Sequence, residues 1–473
     1  MATLQSAGEF EIKFASITTA SGIELRIDAS QLLNVTFFEN INQAAVTGSI
    51  QMFDSAAISS IGPLIGQEYL KLKILTPGQD TEVIDFTENV LHIYKVSQRA
   101  RLSPNTQAYT LNFIPSEGLK NTRIRISRAI SGSYSEIVEK MLDEVGCKKK
   151  RFIEPTNELK KMVIANKYPF DVINMCKEQS ISSANDSPTY KFFENFRGYH
   201  FRSLESMYSQ AQQFVWKYQW KETGSNLDKG LPIIKDQMQQ IITYQVSGMN
   251  DTFSNSITGT LGSKLVVHDI LNKSYTSHTY NMLDAAKSEK NINYYSGKKG
   301  FPLYSETSIE PNTKISDYSS RQYLVPTTIV GKNDAGYTTP SITNPYTPNN
   351  PEVWLQRRNS QMQKLERGIG MQLQMYGNTF LACGDIVNVN LPVVAAENIK
   401  SQIPTDQLDM FYKGNFLIKA IRHDFQCNES THWMHMEIVK DCVEDKLVSV
   451  DDNEEPKPIK SDVTERQFYN QIQ

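Results

Sequence analysis

The chain has 473 residues, more than one compact core accommodates, and its length points to about three domains. It is 39% hydrophobic, 21% charged and 10% aromatic with a net charge of −3, which excludes the general polyanion affinity that a basic stripe would give. No window reaches the roughly 20 apolar residues of a membrane span, and Glu9, Glu11, Lys13, Glu24, Arg26 and Asp28 leave no apolar signal-peptide core, so membrane insertion is not expected.

Residues 1–118 read as a first antiparallel β-domain. Val46 to Asp54 is a strand ending in an acidic turn, and Gly66 opens a second strand with Leu70, Leu72 and Ile74 on one face. A helical turn breaks the pattern at Ser55 to Ile61, and a hairpin from Val90 to Val96 and Ala108 to Phe113 closes it. Residues 119–239 read as a mixed α/β domain. Ser135 caps a helix carrying Ile137, Val138, Met141, Leu142 and Val145, and Gly146 stops it. Pro169 starts a second helix, and Tyr190 to Phe193 with Tyr199 to Leu204 form an aromatic hairpin turning at Asn195 to Gly198. Phe214, Trp216, Tyr218 and Trp220 then alternate along one strand face, read as core rather than ligand platform.

Residues 240–283 and 371–440 make a second β-domain, interrupted at 284–370 by an irregular insertion and a helix. The insertion is rich in Ser, Thr, Asn, Tyr and Pro, and reads as an interaction arm outside any barrel core. Asn350 and Pro351 start the helix, which runs to Gly368 with Trp354, Met362, Leu365 and Ile369 on its apolar side. Residues 441–473 form a charged, flexible tail.

The second β-domain repeats the order of the first. Ile257-Thr258-Gly259 and Gly262-Ser263 lead into Leu265 to Asp269, as Gly48 leads into Asp54. Gly384 opens Asp385 to Leu391 before Pro392, as Gly66 opens Gln67 to Ile74 before Pro77. Phe416 to Ile421 and Thr431 to Ile438 close the set as a hairpin. Three imperfect matches in one order are read as an internal duplication.

No catalytic motif is present: GxxxxGK[ST], GxSxG, HExxH and acidic calcium loops are all missing. Catalytic, cofactor and metal residues are therefore assigned to none. His423, Asp424, Cys427, His432, His435 and Cys442 superficially resemble a metal set, but strand alternation puts His432 and His435 on opposite faces. The five cysteines, Cys147, Cys176, Cys383, Cys427 and Cys442, contain no CxxC pair and fit reduced thiols of a chain folded in cytoplasm. The basic clusters Lys148 to Arg151 and Arg357-Arg358 are short and read as solvated faces.

Gly377 to Pro392 resembles the Gly-Asn-Thr…Gly-Asp…Pro stretch of phage tail hub proteins. Phe416 to His423, Thr431-His432-Trp433 and Lys440-Asp441 are similar to their closing hairpin. Tyr168 to Asn174, Phe192 to Asn195 and Gly198 to Phe201 resemble their middle domain. The nearest likeness is to the central baseplate hub of contractile-tailed phages of the T-even type. It implies a mainly β (α+β) fold with two tail-tube-like barrels, and a homotrimeric ring joining the sixfold tail tube to a threefold spike. The implied partners are a tube or tube-initiator protein, a separate central spike and baseplate wedge proteins, with DNA crossing the lumen without specific binding. The implied place is the virion tail baseplate, assembled in the host cytoplasm. Two other readings stay open: a sugar-binding tail adsorption protein, if Trp216 or Tyr294 lines a cleft, and a tail-associated cell-wall hydrolase, if two carboxylates converge.

Overall fold

The computed structural model describes residues 6–56, 58–77, 83–210, 217–219, 237–238, 240–248, 251–270, 273–294, 300–304, 313–327, 350–393 and 408–445. The aromatic stripe from Phe214 to Trp220, apart from residues 217–219, and most of the charged tail lie outside them. The chain is mainly β, and its centre is one fourteen-stranded sheet.

Eight strands carry that sheet, numbered here in chain order. The first four are β1 (Leu32–Asn40), β2 (Thr47–Asp54), β3 (Leu91–Ser103) and β4 (Thr106–Pro115). The second four are β5 (Ile241–Gly248), β6 (Ile369–Tyr376), β7 (Gly414–Gln426) and β8 (Thr431–Lys440). Side by side they run β5-β6-β8-β7-β1-β2-β4-β3. The order of the first set is thus repeated by the second, and the two sets join where β7 pairs antiparallel with β1.

The repeat holds residue by residue. Ile93 faces Phe113 just before a bulge, as Ile418 faces Ile438 just before a bulge. Leu32 and Ile241 each precede a bulge and face Met52 and Met375 respectively. The strand Tyr69–Leu75 meets the start of β3 as Ile386–Asn390 meets the start of β7. The amide of Ile93 donates to the carbonyl of Glu68, and that of Ile418 to the carbonyl of Asp385, both at 2.9 Å. A bulge adds one unpaired residue and bends the strand, so shared bulges mean shared curvature as well as shared order.

One element of the expected duplication is misplaced. Gly262–Asp269 is not the counterpart of β2; it pairs with Ser274–Asn281 and Arg321–Thr327 in a separate three-stranded sheet. The counterpart of β2 is β6, because a run of about 120 residues (249–368) sits where β1 and β2 have a short link. Described parts of that insertion are integrated into the fold, contrary to the arm reading. Ile292 is fully buried, Phe301 bridges to Val443, and Arg321–Thr327 is a sheet strand. The helix Pro351–Arg367 docks by polar contacts: Gln356 donates to the Ser263 carbonyl at 3.0 Å and Ser360 to the Thr260 carbonyl at 2.8 Å.

The first set curls around a core that includes Ile17, Val35, Phe37, Ile50, Leu72, Leu111 and Phe113. No described ladder closes the roll between Glu11–Thr18 and β1, because Glu24–Arg26 turns back and occupies that edge. The second set packs a core of Met371, Leu373, Val387, Ile418, Met434 and Ile438. The mixed domain has its own core, with helices Tyr134–Glu144 and Pro169–Gln179 against two small sheets. The first helix is capped by Ser133 in a capping box with Glu136, not by Ser135.

Candidate functional site: the polar face of the duplicated sheet

Cross-strand partners share a face of a sheet, so the ladders sort the side chains of β1 to β8 into two sets. One face carries the cores, and it is continuous across the junction: Ile421, His423 and Phe425 of β7 lie opposite Glu39, Phe37 and Val35 of β1. The other face is polar. On the first set it shows Asn34, Thr36, Ser49, Gln51, Thr110 and Asn112. At the matching places the second set shows Thr243, Gln245, Gln372, Gln374, His435 and Glu437. Its charges largely offset one another: the Arg422 guanidinium lies 2.7 Å from Asp424, and Lys419 lies 2.9 Å from Glu437. Thr36 donates to Asp424 across the junction at 2.9 Å. On β3 the exposed Lys95 lies opposite Asn112, and Phe38 and Trp433 lie opposite Arg422 and Asp424, so the result is a broad, mostly polar surface of small net charge crossing eight strands.

The junction is clamped on its core side by the mixed domain. The hairpin of Tyr190–Asn195 and Gly198–Ser203 turns through Phe196 and Arg197, as its aromatic pattern predicts. Phe196 packs edge-on against Phe37 at 5.3 Å and lies 5.1 Å from His423. Arg197 donates to both oxygens of Asp385, at 2.6 and 2.8 Å. Glu39 accepts the amides of Phe196 at 2.7 Å and Cys383 at 2.9 Å, so one carboxyl ties β1 to the aromatic hairpin and to the turn before Ile386–Asn390. Burial pushes its pKa up to about 8, against the lowering by those two amides. Nothing in the sequence marks Glu39, because the burial that makes it important is created by contacts distant along the chain.

The histidine-cysteine constellation is dispersed. His423 Nδ1 and His432 Nε2 lie 3.1 Å apart in the core, with Phe425 stacked on His432 at 3.9 Å. Desolvation lowers the His423 pKa to about 3 and holds His432 well below the usual value. His435 and Asp424 lie on the polar face, as strand alternation requires, and Cys442 contacts Asn293 at 3.6 Å. Among the described residues no group of three such side chains could hold a metal ion.

The basic clusters meet their expectation only in part. Lys149 is buried between Glu117, at 3.1 Å, and Glu194. Arg357 pairs with Glu205 at 2.5 Å and Glu289 at 3.4 Å, while Arg358 donates to the Lys177 and Pro188 carbonyls. Lys149, Arg357 and Arg358 fasten elements together, whereas Lys148 and Lys150 are exposed, as a solvated face requires. Tyr294 is half exposed beneath the Lys290 ammonium, and Trp216 lies outside the described residues.

The 43 kDa tail protein of prophage MuSo2 from Shewanella oneidensis superposes with a TM-score of 0.50 at 8% identity, covering 91% of this chain and 99% of that one. The chain has a phage tail-protein fold. A tail protein from Neisseria meningitidis MC58 aligns at TM-score 0.48 and 10% identity, over 91% of this chain and 96% of that one. The E. coli c3393 protein, a component of a type VI secretion system, aligns at 0.39 and 12% identity, over 91% and 76%. No protein-family model matches the sequence, and no curated protein is similar to it in sequence.

Proposed function

We propose that the chain is the structural hub of a phage tail baseplate, forming a trimeric ring that joins the sixfold tail tube to the threefold central spike. The ring encloses the channel through which DNA leaves, in the virion tail baseplate assembled in the host cytoplasm. The observation that carries this reading is the register-matched repeat lying in tandem on one sheet. Two like modules per chain give three chains six similar surfaces, so one ring presents sixfold-like contacts to a tube and threefold contacts to a spike.

Size agrees. Eight strands per chain spaced about 4.8 Å apart give three chains a perimeter of about 115 Å, hence a backbone diameter of roughly 37 Å that strand tilt widens further. The small net charge of the polar face suits a conduit, since a strongly basic wall would retain DNA through its phosphates. The chain then divides into a first tube-like module at 1–118, a mixed hub domain at 119–239, a second module and its insertion, and a tail at 441–473. Its role is structural, with tube, spike and wedge proteins as partners.

Native mass measurement of the purified chain, alone and with tube and spike proteins, tests the reading. A mass of three chains is expected. A stable monomer in the assembled tail, or six full chains per ring, would sink it, and so would cell-wall cleavage by the pure chain that depends on a single carboxylate.

A further inference from the structure

One contact between the first module and the mixed domain brings an amine, a carboxamide and a carboxylate together from three distant parts of the chain. Asn42 lies in the turn between β1 and β2. Its backbone amide donates to Asn40 Oδ1 at 2.8 Å, and the amide of the fully buried Ile41 donates to the Lys419 carbonyl at 3.0 Å, so the turn is held in place. Lys191, on the hairpin strand Tyr190–Asn195, is only 7% exposed, and its Nζ donates to Asn42 Oδ1 at 2.7 Å. Glu366, in the last turn of helix Pro351–Arg367, accepts from Asn42 Nδ2 through Oε1 at 3.3 Å. Its other oxygen is fixed by the Lys419 ammonium at 2.9 Å.

Three features make this contact reactive. A C=O bond is about 1.23 Å long, so an amine 2.7 Å from Oδ1 lies within about 4 Å of Asn42 Cγ, near the separation of atoms poised to react. An ammonium does not attack a carbonyl, but burial pushes the Lys191 pKa down to about 8, against the Glu366 carboxylate and with the help of Lys177, Arg358 and Lys419. Neutral amine is therefore present near neutral pH. The carboxylate already touches the nitrogen that must leave, and Asn42 is exposed, so ammonia has a way out. Lys177 and Lys290 also donate to amide oxygens, those of Asn174 and Asn185, but among the described contacts no carboxylate meets either amide nitrogen.

We propose that Lys191 and Asn42 are joined by an isopeptide bond that the folded chain forms by itself, with Glu366 as the catalytic proton carrier. The neutral Lys191 amine attacks Asn42 Cγ; the Nζ–Cγ bond forms and the Cγ–Nδ2 bond breaks. One Nζ proton passes to the Glu366 carboxylate and on to Nδ2, which leaves as ammonia. Amine and carboxamide give secondary amide and ammonia, so no oxidant, reductant or further reactant enters. The bond fastens the β1–β2 turn to the mixed domain within one chain, whatever the number of chains in the assembly.

Mass spectrometry of the purified full chain, kept folded at about pH 8, tests this. The intact mass is expected to be one ammonia below the sequence mass, and a tryptic digest should contain a branched peptide in which the Lys191 side chain is acylated by Asn42. Lys191→Arg keeps the cation and Asn42→Ala keeps the backbone bond of the turn; both should show the full sequence mass and a lower melting temperature. Glu366→Gln should fold, as circular dichroism reads it, yet form the bond at least about ten-fold more slowly. A wild-type chain that stays at the full sequence mass would overturn the bond. So would an ammonia loss that survives in Lys191→Arg, because it would then come from an asparagine cyclising onto its own backbone. Equal rates in wild type and Glu366→Gln would overturn the role given to the carboxylate.

Discussion

At the scale of single residues, two kinds of buried ionisable group respond oppositely to pH. His423 and His432 are neutral in the fold because burial lowers their pKa values, to about 3 for His423. In the unfolded chain they charge below about pH 6.5. The unfolded state then binds more protons, so stability present above pH 6.5 is lost as pH falls towards 3. His423 alone should account for about 2 kcal/mol of loss at pH 5. Glu39 acts in the other sense: with its pKa raised to about 8, stability falls as pH rises from about 4.5 through 8. Denaturant unfolding from pH 5 to 6.5 should show a stability gain with pH that is flattened in a His423→Leu/His432→Leu variant. An unchanged slope would mean that the pair is not buried neutral. The opposite faces of His432 and His435 were legible from strand alternation alone. The His423–His432 contact was not, because it joins two strands whose register depends on a bulge between Ile418 and Ala420.

At the scale of elements, the alternating strands, the Pro169 helix start and the aromatic hairpin could be read from sequence, since each is set by local periodicity and caps. The partner of β2 could not. Strand alternation is the same in Gly262–Asp269 and in Ile369–Tyr376, and only the ladders tell which one joins the repeat. Two substitutions probe the elements. Gly48 stands where the second set has Met371, and a Cβ there would lie 2.3 Å from the Phe113 ring and 2.4 Å from the Thr36 carbonyl oxygen. Since that oxygen belongs to the neighbouring strand backbone, Gly48→Ala should cost at least the roughly 1–3 kcal/mol of an overpacked core, read as a lower melting temperature. Lys149→Met leaves Glu117 and Glu194 buried without their shared cation. It should lower the unfolding free energy by about 3–5 kcal/mol; a change under about 1 kcal/mol, the usual worth of a surface pair, would extend the solvated-face reading of Lys148 and Lys150 to Lys149.

At the scale of the whole molecule, the repeat matters because it gives one polar face two copies of each position. Gln51 and Gln374 are equivalent, lying opposite Thr110 on β4 and His435 on β8. In the proposed ring each chain would contribute both to the inner wall, so one pair of substitutions changes six places around the lumen. The wild-type face has little net charge to hold phosphates, and its purified ring should show no measurable affinity for a short linear duplex at physiological salt. A Gln51→Lys/Gln374→Lys variant should bind that duplex with an affinity falling steeply as salt rises, by a log–log slope of about −0.9 for each phosphate neutralised. The fold should tolerate the change, because both side chains lie off the core face, Gln51 exposed and Gln374 half-buried. Fluorescence anisotropy across a salt series gives the slope, and native mass on the same sample confirms the ring. A slope that rises with ring formation indicates that the face lines an enclosed channel. If the lysines add equal affinity to rings and to separated chains, the polar face points outward and the conduit reading fails.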